Sequence, residues 1–488
     1  VTLRPALALA LAALLLAAPP AAAEPVAAGA GLGGAGLQGC RTDLVYLNQL
    51  FGWQVSWQRQ WAALQGGSDG DIEAAIATWR TAPGALRADE AGLAAAVRGG
   101  PGAAPRVVAT RVLAEVEDLA QALRQGPPPL RAGADPALRR RWTALFADEI
   151  APAVEHYRDF LRDLYLPVAS DAAGLSGTPD GARCFRQAVR YFTTLDRPPE
   201  EVERLGLSLL ARTEAELARL YGRRDLPRLL AELRATREVG FTPERLIAIS
   251  EAAIARAAAA MPRMFSRPGT APVRVEPMPR AIEASAAAGF YRFAEAGAPA
   301  AYVINLSRPG ERRLMAEVIA FHETLPGHHI QAALSLPVGD FNSGFAEGWG
   351  IYAEYLADEM GLYSGRLDRA GMIAKHLWAA SRLVVEPGLH LRGWSRERAV
   401  QFMRDHTALT DAEIAVEVDR YIATPGQSLS YMLGYDTIAR ARLYAERHLG
   451  RRFDLRRFHD VVLAPGSRAL DLVYADVVRW ADGSAPHL

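Results

Sequence analysis

Residues 317–334 read EVIAFHETLPGHHIQAAL and, after a loop, residues 345–358 read FAEGWGIYAEYLAD. His322 and Glu323 are followed by His328 and His329, and two glutamates, Glu347 and Glu354, stand 25 and 32 residues after His322. Neutral imidazoles with a carboxylate suit Zn²⁺, and three protein ligands leave a position for water. Three of the ten histidines fall within eight positions here. That density weighs against the bland reading, in which helix-terminal histidines flank a Pro-Gly turn and Glu323 is merely solvated.

A glutamate directly after the first histidine sits beside such a water and can take its proton, the division of labour in HExxH metallopeptidases. The spacing here is different. In an unbroken helix a residue four positions after His322 is ~6 Å away on the same face. His328, six positions on, rises ~9 Å at the wrong azimuth, and His329, seven on, rises ~10.5 Å. Pro326-Gly327 lies between them, and proline removes a backbone donor while glycine permits unusual dihedrals. A kink or bulge at these two residues is the expected way to absorb the extra length.

Outward from this stretch the pattern is helical. Apolar residues recur at three- and four-residue spacing through Leu44–Trp61, Ile72–Trp79, Arg106–Leu123, Pro136–Leu164 and Pro199–Tyr221. Thr242 as N-cap and Pro243 at the first helical position predict a helix to about Ala260. Only Val273–Pro277 and Ala301–Leu306 (AYVINL) read as strands. The expected architecture is mostly α, one large helical body over 42–488, with a small β element just before the metal-ligand stretch.

The N-terminus reads as an export signal over residues 1–23. Arg4 is followed by the uncharged Ala6–Ala18, then Pro19-Pro20 and Ala21-Ala22-Ala23. Residues 24–41 are a Gly/Ala-rich leader, and no apolar run is long enough to span a membrane. A periplasmic or secreted protein is the expectation. In such a compartment Cys40 and Cys184 can pair, although the sequence leaves that bridge open. With 55 Lys+Arg against 55 Asp+Glu, net charge +0, 50% hydrophobic and 23% charged residues, the chain is neither disordered nor a nucleic-acid binder by global charge. Lys375 is the only lysine, a bias that reads as genomic base composition.

HETLPGHH, EGWGIYAE, RLVVEPGLHLRGWS, PGQSLSYMLG and FHDVVL together resemble the bacterial DUF885 family, which looks like a distant relative of the gluzincin peptidases, especially the helical M3 (neurolysin-like) type. The resemblance covers roughly Thr42 to the C-terminus. It implies His322, His328 and Glu347 as ligands of one Zn²⁺, with Glu354 supporting a ligand histidine. His329 for His328 stays open, as does Glu354 for Glu347, since Glu354 through Asp358 also fits an ExxxD pattern. Mn²⁺ or Co²⁺ in place of Zn²⁺ is open as well. The resemblance further implies a zinc-dependent peptidase acting on short peptides, with Glu323 as general base and Tyr431 as oxyanion donor, Tyr435 being the reserve.

Three other residues are candidate substrate contacts. Arg382 and His390 lie on one helix face with Glu386, where structural capping beside Pro387-Gly388 is an equal reading. Asn305 in AYVINL would align substrate along an edge strand. Two other functions remain in view: hydrolysis of non-peptide amides or esters, and non-catalytic binding of peptide or metal. Oligomeric state is not legible.

Overall fold

The computed structural model describes residues 40, 47–64, 67–99, 103–178, 180–236, 240–269, 271–283, 287–294, 299–335 and 342–483. The stretch expected to be an export signal, the expected leader before Cys40 and the first residues of the Leu44–Trp61 pattern lie outside them.

An N-terminal layer holds α1 (Trp53–Ala63), α2 (Asp69–Trp79), α3 (Ala82–Gly99), α4 (Arg106–Gln125), α5 (Pro136–Leu145) and α6 (Ala151–Phe160). The helical pattern over Pro136–Leu164 does run on as consecutive helical segments. It passes through two π-helical segments, Phe146–Ile150 and Leu161–Tyr165. Trp53, Trp57, Trp61 and Trp79 pack in series, with Trp57 4.9 Å from Trp79 and Trp61 5.5 Å from Phe146 by ring centroid. Polar caps start the helices: Ser68 and Asp71 form a capping box on α2.

The body continues with α7 (Gly181–Thr193), α8 (Pro199–Tyr221), α9 (Leu226–Arg234) and α10 (Pro243–Met264). As the sequence predicts, Thr242 caps α10 with its side chain on the Arg245 N–H, and Pro243 opens it. Three strands follow, β1 (Arg274–Pro277), β2 (Gly289–Arg292) and β3 (Ala301–Ile304). They form a sheet in the order β1-β3-β2, β1 parallel and β2 antiparallel to β3. Strand β2 is too short and mixed (GFYR) to carry a strand pattern alone, and pairing with β3 is what makes it one. Because β3 is central, Asn305 just beyond it does not sit on an edge.

The C-terminal half contains α11 (Ala316–Glu323), α12 (His328–Leu334), α13 (Ser343–Glu359), α14 (Arg366–Leu391), α15 (Arg396–His406), α16 (Asp411–Ala423), α17 (Ser430–Leu449), α18 (Leu455–Leu463) and α19 (Leu470–Ala481). Helix α14 is the spine: it packs along α8 and touches α11, α13 and α15, while α13 lies against α17. Pro387-Gly388 lies inside α14 without ending it: the helix continues to Leu391, with Trp394 N–H bonded to Gly388 O at 2.9 Å. One hydrophobic cluster runs from Cys40 to Ala481. The fold is therefore mostly α with a small sheet directly before the metal-ligand stretch.

Cys40 and Cys184 are both buried as thiols and no bridge joins them; the Cys40 thiol is instead hydrogen-bonded to Gln187 Oε1. Among the described residues no helix is long and apolar enough to cross a membrane.

Candidate metal centre

The sequence HETLPGHH folds as two helices with a turn between them. Helix α11 ends at Glu323, where Thr324 returns its N–H to Ala320 O at 3.0 Å, and α12 begins at His328. The intervening Leu325-Pro326 peptide is cis. Gly327 passes so close to α11 that a Cβ there would stand 1.9 Å from His322 O, so only glycine fits. Trp349 clasps the turn, donating its indole N–H to Pro326 O at 3.1 Å. The two extra residues are thus taken up by ending one helix and starting another, and the His322 and His328 rings come to lie 4.8 Å apart.

Helix α13 brings the carboxylate. Glu347 Oε2 lies 3.3 Å from His322 Nε2 and 3.9 Å from His328 Nε2. Among the described residues, His322, His328 and Glu347 form a buried group whose ligand atoms all lie within 4.8 Å of one another. Each imidazole is aimed by its other nitrogen: His322 Nδ1 donates to Glu354 Oε1 at 2.6 Å and His328 Nδ1 donates to Gln331 Oε1 at 3.0 Å. Both rings therefore turn Nε2 inward toward Glu347, the arrangement a metal requires. A further sign is Glu323 Oε2, which is buried with no hydrogen-bond partner among the described residues. Two imidazoles, one carboxylate and an orphaned acceptor fit a divalent cation.

Electrostatics follow from burial. Burial pushes the Glu323 carboxyl up to about 7, against the pull of His322. Burial, with His322 adjacent, takes His328 down to about 4, so it is neutral at pH 7. His322 responds in the opposite direction. Burial and Lys375 disfavour its charge, yet hydrogen bonds to Glu347 and Glu354 bring it up to about 9. Without a cation, then, the cluster holds its charge balance by protonating His322. A bound cation would displace that proton.

Glu354 is a hub. Besides His322 it accepts from Lys375 Nζ and from His376 Nε2 at 2.8 Å, and it is fully buried. Burial alone would raise it, but Lys375 and its hydrogen-bonded histidines hold it well below the usual carboxylate range. Lys375 also lies 3.2 Å from His322 Nδ1. Sequence reasoning passed over both α14 residues. The signal was present in the composition: the chain's only lysine is the one placed behind the first candidate ligand. Asp358, the rival partner in the ExxxD reading, is instead paired with Arg369 at 2.7 Å.

His329 turns away from the group, with Nδ1 3.1 Å from Tyr291 OH and Nε2 2.6 Å from Ala271 O. Tyr431, at the start of α17, stacks on His322 with ring centroids 6.2 Å apart, and its hydroxyl has no partner among the described residues. Tyr435 stacks on Tyr355 at 4.6 Å instead. Arg382 joins the wall of the site by stacking on Tyr431, its Cζ 4.5 Å from that ring. His390 does not reach it: Nδ1 accepts the Leu175 N–H at 3.2 Å and Nε2 donates to Tyr421 O at 3.1 Å, leaving no ring nitrogen for substrate. Asn305 is also engaged, donating to Glu283 O at 2.8 Å and accepting from Ser307 N–H at 3.0 Å. The strand edge beside α11 belongs to β2, whose Tyr291 N–H bonds the Glu323 carboxylate. Glu386 holds the turn before α17, accepting from Gly426 N–H at 2.5 Å and Ser428 Oγ at 2.6 Å.

Fold and site together define a mostly helical protein with a buried cluster of two histidines and a carboxylate, backed by a glutamate–lysine pair. The chain belongs to DUF885, a family of bacterial proteins of unknown function whose profile matches residues 21–477. Among solved structures it is similar to one described as a putative lipoprotein from Colwellia psychrerythraea, at TM-score 0.79 and 23% identity over 90% of this chain and 80% of that one. A second, described as a putative lipoprotein of unknown function from Shewanella oneidensis, aligns at TM-score 0.68 and 15% identity over 89% and 82%. Both share the fold. An M32 carboxypeptidase from Deinococcus radiodurans R1 aligns at TM-score 0.38 and 14% identity over 88% and 87%, a score from which nothing follows for this chain. No curated protein matches.

Proposed function

We propose that this protein is a zinc-dependent hydrolase that cleaves peptide bonds of short peptides. The observation that carries the reading is Glu323 Oε2, buried and unpartnered next to the three converging donors. A pure metal-binding site has no need of a desolvated carboxylate beside its ligands.

In this reading His322, His328 and Glu347 hold the ion, which when bound supplies Lewis-acid polarisation and a water of lowered pKa. Everything else is done by the chain. Glu323 takes a proton from the attacking water at Oε2 and passes it to the leaving nitrogen. The water oxygen bonds to the carbonyl carbon, the C–N bond breaks, and a carboxylate and an amine result. Tyr431 donates its free hydroxyl to the oxygen on which charge develops. Glu354, held ionised by Lys375, keeps the His322 proton on Nδ1. Export to the periplasm goes with this reading, supported by the N-terminal Ala/Leu stretch and by relatives described as lipoproteins.

The test is metal content together with turnover of a mixed peptide library, on wild type and Glu323→Gln. Zinc retained in both, with turnover down by about 10²–10⁴-fold in the variant, supports the general base. Zinc-loaded wild type that cleaves no peptide removes the peptidase reading.

A further inference from the structure

Arg382 is a buried guanidinium whose engagement is incomplete. Its residue is 3% exposed, on the α14 spine. Trp378 lies against one part of it and Tyr431 against another, with Cζ 4.3 Å and 4.5 Å from the two rings. Nε donates to Tyr421 OH at 3.1 Å and Nη2 to Glu417 Oε2 at 3.2 Å. Nη1 has no acceptor among the described residues. Glu417 cannot neutralise the cluster by itself, since Arg420 takes both of its oxygens, at 3.2 Å and 2.8 Å. Glu386, the next carboxylate, is spent on the backbone of Gly426 and Ser428. Two guanidinium groups therefore share one carboxylate. The donor left over belongs to the residue that touches Tyr431.

Resting on the peptidase reading, we propose that Arg382 receives the free C-terminal carboxylate of the substrate, so that the site removes only a short piece, a few residues at most, from peptide C-termini. Tyr431 touches both anchor points, 6.2 Å from the His322 ring and 4.5 Å from Arg382 Cζ, so the two lie no more than about 11 Å apart. An extended residue spans ~3.3–3.6 Å, so no more than about three residues fit between a carbonyl at the ligands and a carboxylate at Nη1. A planar guanidinium already fixed through Nε and Nη2 loses little freedom on binding, and a carboxylate supplies the charge the cluster lacks.

The experiment uses matched peptides that differ only in a free or an amidated C-terminus. Binding is measured by calorimetry to zinc-loaded Glu323→Gln protein, and turnover is measured with wild type. The expected result is at least tenfold tighter binding and faster cleavage of the free acid. Arg382→Met should abolish the preference, and Arg382→Lys should restore part of it. Equal binding of acid and amide overturns the proposal even if both are cleaved, which leaves the peptidase reading standing. Preference in binding with no cleavage of either peptide supports Arg382 as the carboxylate site and removes the peptidase reading instead. The acid–amide comparison needs only Glu323→Gln and wild type, so a poorly folding Arg382 variant does not blunt it.

Discussion

A methyl group on the Cα of Gly350 would stand 2.3 Å from Cε1 of His322 and 2.6 Å from its Nδ1. Helix α13 can lay the first candidate ligand flat between Glu347 and Glu354 only because position 350 carries no side chain. Gly350→Ala is therefore expected to displace the ring, lowering zinc affinity at least tenfold in a chelator competition. Overpacking should cost ~1–3 kcal/mol of stability. Unchanged affinity would remove His322 from the ligand set. The neighbouring histidines should separate as sharply: His328→Ala loses the metal, whereas His329→Ala, whose ring faces Tyr291 and Ala271, keeps it. For Glu323 the sign of the pH effect is fixed by its role. The base must be ionised, burial sets it at about 7 in the metal-free protein, and a nearby cation draws it down. Turnover should thus rise with pH along a single acid limb whose midpoint lies below 7. At this scale the grouping of His322, His328 and Glu347 was legible in the sequence, because three of only ten histidines cluster there and the family resemblance added the carboxylate, whereas Tyr431 rested on that resemblance alone. The ligands' supports were not legible. Lys375 and His376 lie more than 50 residues from His322 along the chain and are gathered behind it by Glu354, with Lys375 also 3.2 Å from the ring.

Elements explain why some readings failed. Arg382, Glu386 and His390 share a face of α14 by sequence, but each meets a different neighbour, so periodicity alone could not sort substrate contact from scaffold. Arg382 looks towards Tyr431, Glu386 clamps the turn before α17, and His390 stacks on Phe185 and binds backbone on both sides. The edge role assigned to Asn305 fails for a similar reason: strand order is a three-dimensional fact, and β2 emerges only by pairing with β3. Helix packing also stores a pH dependence away from the site. Glu115 on α4 accepts from Gln54 on α1 at 2.8 Å, and burial pushes its carboxyl up to about 7. Its folded pKa exceeds the unfolded value of about 4.3, so the folded state holds the proton longer, and stability falls as pH rises between these values. Glu115→Gln should gain on wild type across that window by roughly 1–2 kcal/mol, with no further gain above pH 8, as read from denaturant midpoints at pH 5, 7 and 8.5.

Across the whole molecule the helical class and most helix positions followed from apolar spacing and caps, as α4, α8 and α10 illustrate. The sequence could not reveal that α14, rather than α13, is the axis on which the site is hung, because a spine is recognised by what surrounds it. The candidate ligands come from α11, α12 and α13, so an ion held by them joins three helices and binds only the folded chain. Melting temperature should rise with free zinc, by the equivalent of ~4 kcal/mol at a thousand times the dissociation constant. His328→Ala protein should show no such rise in a calorimetric titration.

The position of the sole lysine has a practical consequence for protein chemistry. Apart from the N-terminal amine, an acylating reagent can find only one amine in the chain. It belongs to a residue 7% exposed, and it is bonded to Glu354. The rate at which Lys375 is labelled is then a one-site reporter of breathing around the cluster, readable on a single peptide by mass spectrometry with no mutation introduced. Slower labelling on adding zinc would register the closing of the interior, independently of any substrate.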